Sequence, residues 1–185
     1  MARCLYNSTI REFLQLSPET LLGRFVNNYH GAALTTTNEA WNNEIRIMQE
    51  VLQPWMDEDG QVIFEYDIPR LGKRIDVVLL LRGLIFCLEF KVGERDMLQS
   101  NIEQVLDYAL DLKNFHLLSQ NRIIVPILVP TRFRTSSSEF IPSVYEPTDC
   151  KSSLRMFWLM PELQPRIPAW EPTGLLALIH LPRPS

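Results

Sequence analysis

A chain of 185 residues is long enough for one domain whose core needs no covalent staples. With 46% hydrophobic and 22% charged residues it has the balance of an ordinary soluble globular protein. A net charge of −4 argues against coating nucleic acid by bulk charge, but leaves room for a local basic rim.

Residues 10–30 read as one or two helices, the second opened by Ser17 as N-cap with Pro18 at the first helical position. "LTTTNEA" starts another, in which Trp41, Ile45, Met48, Leu52 and Trp55 form an apolar stripe at helical spacing. Glu44 stands at the edge of that stripe, where a carboxylate needs a reason. "MDEDG" breaks the helix, and "QVIFEYDIP" alternates as a strand should. Two apolar runs follow, 75–81 and 84–90, divided by Arg82-Gly83. Residues 96–119 then give a long helix with Leu98, Ile102, Val105, Leu106, Ala109, Leu112 and Phe115 along one side. "RIIVPILVP" is a buried strand whose Pro126 places it near an edge or at a bulge. Most of the 13 prolines lie beyond residue 140, where the pattern dissolves. Cys4, Cys87 and Cys150 are far apart and form no CxxC, so a disulfide framework or structural zinc site is not expected, and a reducing cytoplasm is. The opening residues have no apolar signal core, and "GLLALIHL" is too short to span a bilayer.

The chemistry concentrates at the far ends of the two apolar runs. With Arg82-Gly83 as a two-residue turn, cross-strand partners have numbers summing to 165, and Asp76 faces Glu89. Lys91, two residues on, shares the face of Glu89. Facing carboxylates repel, which a proton or a cation between them relieves. Their hard oxygens suit Mg²⁺ or Mn²⁺, and a metal, a water and a fixed ammonium suffice for phosphodiester hydrolysis. Strand ends also carry such residues simply because they reach solvent. On the next helix, Gln104 and Tyr108 stand at i and i+4 on one face. Arg70, Lys73, Arg74 and Arg95 flank the hairpin and are placed to contact backbone phosphates. No GxSxG, GxGxxG after a strand, or ligand-spaced histidine set competes with this reading.

Asp76, the Glu89-x-Lys91 pair and Gln104-x-x-x-Tyr108, in the order helix, three strands, helix, strand, resemble the PD-(D/E)XK nuclease superfamily, RecB-like branch. "AWNNEI", "EYDIPRLGKRIDVVLL", "LEFKVGE", "QVLDYALDLKNFH" and "IVPILVPTR" together resemble the N-terminal nuclease head of bacterial proteins that join such a domain to a superfamily 1 helicase. The resemblance implies an α/β restriction-endonuclease-like core, a central mixed sheet flanked by helices, over residues 1–135. The Pro-rich residues 136–185 are expected to pack on the same domain. It implies Asp76 and Glu89 as metal ligands, with the carbonyl of Phe90 and, as a further ligand, Glu44. Lys91 would be the catalytic lysine, with Gln104 and Tyr108 beside it. The expected function is Mg²⁺- or Mn²⁺-dependent hydrolysis of DNA in bacterial DNA processing or defence. The sequence contains no GxxxxGK[ST], so the chain is expected to be a stand-alone relative or a fragment, or to act with a separate helicase or ATPase subunit. Two alternatives stand beside it: a module that binds nucleic acid or a partner without cutting, and a restriction-type endonuclease working as a homodimer.

Overall fold

The computed structural model describes residues 3–29, 35–68, 71–96 and 98–132. The expected C-terminal extension and Arg70 of the basic rim lie outside the described residues. The architecture is α/β, a five-stranded mixed sheet between helical layers. Strand β1 (Tyr6–Thr9) runs into α1 (Ile10–Gln15), and α2 (Pro18–Asn28) and α3 (Thr35–Leu52) follow. The strands β2 (Gly60–Ile68), β3 (Lys73–Leu81) and β4 (Leu84–Lys91) form an antiparallel meander. Helix α4 (Gln99–Phe115) then carries the chain to β5 (Ile123–Pro130), which pairs parallel with β4 at the end of the sheet. A parallel neighbour requires such a crossover, and a helix is its usual form. No helix among the described residues is long and apolar enough to cross a membrane.

Local chemistry accounts for the helix starts. Ser17 Oγ accepts from Thr20 N at 3.2 Å with Pro18 in the first turn. Thr9 and Glu12 form a reciprocal capping box at α1. Strand β1 is too short to carry a readable pattern, and it was not expected.

One face of the sheet is covered by α1, α2 and α3 around an aromatic cluster, in which Phe25 meets Phe64 at 4.9 Å between ring centroids and Trp41 at 5.9 Å. The other face carries a smaller core of Ile63, Tyr66, Ile75, Val78, Leu80, Ile85 and Cys87, capped by Tyr108 and Leu112 of α4. Two sequence expectations change here. In β2, simple alternation fails: Val62 and Phe64 enter the first core, yet Tyr66 and Ile68 enter the second. The reversal falls at Glu65, whose φ is +55. The expected apolar stripe of α4 is also displaced. Asn101, Val105, Tyr108 and Leu112 are buried, whereas Leu106 is 44% and Phe115 66% exposed, and Leu98 is exposed as well. A single helix face spans i, i+4, i+7 and i+11, and polar tethers select which face turns inward. Asn101 Nδ2 donates to Glu94 at 2.7 Å, and Lys73 Nζ of β3 to Asp111 at 3.0 Å.

Candidate active site

The β3–β4 hairpin turns at Arg82 (φ +51) and Gly83 (φ +77), two left-handed residues that match the right-handed twist of the strands. From Leu81↔Leu84 to Val77↔Leu88 the partners sum to 165 as expected. There the ladder stops. Asp76 and Glu89 do not form a ladder pair: Asp76 turns its carboxylate to the backbone, and Phe90 N donates to Oδ2 at 2.8 Å. The ladder between β2 and β3 is interrupted at the same level, where Glu65 would meet Asp76. A carboxylate has replaced a main-chain acceptor, and this frees the end of the hairpin from strict pairing.

The two carboxyl groups still act on each other as close neighbours. Burial, and then the neighbouring Glu89, push the pKa of Asp76 up to about 7. Burial also raises Glu89, although the adjacent Lys91 counters it. Glu44 reaches the same group from α3. It is only 4% exposed, and burial followed by Asp76, Glu65 and Glu89 holds its pKa well above the usual carboxylate range. It is therefore no rim residue of the apolar stripe.

Lys91 is the hub. Its Nζ donates to Glu89 Oε1 at 2.9 Å and to Gln104 Oε1 at 3.0 Å. Gln104 Nε2 donates in turn to Tyr108 Oη at 2.6 Å, which orients the amide with its oxygen toward the ammonium. Burial acts to lower the pKa of Lys91, but Glu89, Asp76 and Glu94 outweigh it and the net shift is upward. Helix α4 thus brings Gln104 and Tyr108 to the carboxylate end of the hairpin.

The basic residues are less free than expected. Lys73 is engaged with Asp111, with Asp107 at 3.8 Å, and Arg74 lies against Glu65. Arg95 is exposed in the turn after β4. The sequence reading missed Glu65, which is 7% exposed, takes the Trp41 indole N–H at 2.9 Å, and has a pKa raised chiefly by burial. The clue that singled out Asp76 and Glu89, a carboxylate within an apolar strand, was present there too.

Among the described residues, no group of three or more His, Cys, Asp or Glu side chains is drawn together tightly enough to hold a metal ion as it stands. The oxygens of Asp76 and Glu89 are partly spent on Phe90 N–H and Lys91. Even so, the donors fit a hard cation: Glu44 Oε2 and Glu89 Oε2 are buried and meet no hydrogen-bond donor. Orphaned buried carboxylate oxygens are costly, and a cation is one way to satisfy them. Comparison of the chain with models of protein families, with curated proteins and with solved structures finds no match.

Proposed function

We propose that this chain is a divalent-metal-dependent deoxyribonuclease of the PD-(D/E)XK type, RecB-like branch, acting in DNA processing or defence. The observation that carries the reading is the Lys91 ammonium held between Glu89 and Gln104, beside a half-buried Asp76 whose carboxylate accepts from Phe90 N–H. A fold alone would have no use for such an arrangement, since apolar residues at these positions would be cheaper to bury.

In this reading Asp76, Glu89 and Glu44, with the Phe90 carbonyl, hold Mg²⁺ or Mn²⁺. Bound there, the ion supplies Lewis acidity and lowers the pKa of a water. The chain's own residues do the rest. Lys91, kept protonated by the surrounding carboxylates, presents N–H donors to the phosphoryl oxygens as negative charge builds in the transition state. Gln104 fixes the direction of that ammonium, and Tyr108 fixes Gln104. Arg74 and Arg95 supply positive charge toward the DNA backbone; Lys73 contributes less, being paired with Asp111.

The test is incubation with labelled linear, circular and single-stranded DNA and with RNA, in Mg²⁺, Mn²⁺ or EDTA. Cleavage of DNA in Mg²⁺ or Mn²⁺ and none in EDTA is expected. Binding to DNA without cleavage in either metal would replace the enzyme by a non-cutting module of the same fold.

A further inference from the structure

Glu65 has no role in the mechanism above, and its setting needs a cause. It adopts a left-handed backbone conformation inside β2, which a non-glycine residue avoids. Its carboxylate is buried next to other acidic groups, an arrangement that disfavours folding. Two partners hold it from different elements. The Trp41 indole donates to Oε1 at 2.9 Å, and Arg74 Nε lies against Oε2. Trp41 is itself locked in the aromatic core, edge-on to Tyr29 at 5.3 Å and to Phe25 at 5.9 Å.

Arg74 is the outer end of this chain of contacts. Its side chain is 46% exposed, and its Nε makes the ion pair with Glu65. Among the described residues no hydrogen bond engages its terminal nitrogens, so their four N–H groups can meet another partner. A guanidinium so presented is a planar fork suited to a phosphate, and the ion pair with Glu65 keeps it beside the carboxylate end. Arg74 stands two residues before Asp76 on β3, at the mouth of the carboxylate end.

We infer that Glu65 is a positioning residue which, clamped by Trp41, aims Arg74 at a backbone phosphate of the DNA strand bound across the open end of the hairpin. The inference rests on the nuclease reading for its polyanionic ligand. The contact is to phosphate, so it is independent of base sequence.

The experiment measures affinity for labelled DNA oligonucleotides, as a function of KCl and with Mg²⁺, in a Lys91→Ala background so that binding is read without cleavage. Arg74→Gln is expected to weaken binding about fivefold to tenfold and to reduce the salt slope by about 0.9 on duplex or about 0.7 on single strands. Glu65→Gln is expected to do the same in kind, and the double variant to bind no worse than Arg74→Gln. The sign is decisive. Removing a negative charge raises affinity for a polyanion by itself, so a loss is not what a bulk electrostatic role would give. Arg74→Lys, at an exposed position that does not threaten folding, keeps the charge without the fork and should bind nearly as weakly as Arg74→Gln. Full affinity in Glu65→Gln or in Arg74→Lys, or losses from Glu65 and Arg74 that add, would overturn the inference. If the wild type cuts DNA while Glu65→Gln binds normally, only this inference fails. If the chain neither binds nor cuts DNA, the nuclease reading fails and takes the inference with it.

Discussion

The two ends of the β3–β4 hairpin are built by opposite rules. At the turn end, Leu79, Leu80, Leu81, Leu84, Ile85 and Phe86 are paired in register and buried on both faces, so strand propensity, pairing and burial agree. At the open end the ladder lapses, a carboxylate takes a backbone N–H, a neighbouring strand residue has positive φ, and four acidic side chains crowd together. The lapsed ladder, the left-handed residue and the crowded carboxylates each lower stability. On the proposed reading, local rules that agree at one end and fail together at the other mark where a strand pair serves the fold and where it serves chemistry.

Substitutions at the two ends should therefore separate activity from stability. The largest effect is expected from Lys91→Ala, which removes the fixed ammonium. Its cleavage rate per folded molecule should fall by at least about 10²–10³-fold, beyond whatever stability is lost with the Glu89 pair. A Lys91→Ala enzyme at wild-type rate would erase the distinction. Leu79→Ala at the turn end should do the reverse, costing about 2–5 kcal/mol in chemical denaturation while the folded fraction keeps its specific activity. If Leu79→Ala lowered activity per folded molecule as strongly as Lys91→Ala, the two ends would not be separable.

Asp76→Asn sharpens the contrast through pH. The folded pKa of Asp76, about 7, lies above its ordinary value of 3.8, so the folded protein holds a proton that the unfolded chain releases. That contribution is complete below about pH 4 and is lost as pH rises through about 7. In EDTA the wild type should lose on the order of 2–4 kcal/mol more stability between pH 4 and 8 than Asp76→Asn does. The slope that remains in the variant reports Glu44, Glu65 and Glu89, which shift the same way. Parallel stability–pH curves for the two proteins would show that Asp76 does not hold this proton.

Gln104→Ala is expected to have a smaller effect. The lost amide contact to a charged group is worth about 1.5–3 kcal/mol, or roughly a ten- to hundredfold lower rate if it acts mainly in the transition state. Stability should hardly change, because Val105, Tyr108 and Leu112 still seat α4. Wild-type turnover in this variant would reduce the Gln104–Tyr108 pair to a structural brace.

Much of the fold could be read along the chain. Arg-Gly between two apolar runs specifies the hairpin turn, and through it the register of five residue pairs. Ser17-Pro18 marks the start of α2 because cap and fixed φ act locally. What escaped depends on tertiary structure. The inward face of α4 is chosen by Asn101, Gln104 and Asp111 finding partners on β3, β4 and the following turn, so Leu98, Leu106 and Phe115 look like core and are not. The backbone reversal at Glu65 arises from its contacts with Trp41 and Arg74, and no local propensity encodes it. Asp76, Glu89 and Lys91 were nameable from the hairpin register, and Gln104 and Tyr108 from the family resemblance, whereas the hydrogen bond from Phe90 N–H to Asp76 was not, since regular pairing predicts a facing carboxylate.

The most direct measurement of the central claim, that the open end of this hairpin is a divalent-cation site, is thermal unfolding of wild type and Asp76→Asn in EDTA and with Mg²⁺ or Mn²⁺. A cation that binds only the folded state at about a hundred times its Kd adds about 2.7 kcal/mol. The wild type should therefore melt several degrees higher with metal, and Asp76→Asn should show no such rise. An equal rise in both proteins, or none in the wild type, would contradict the account.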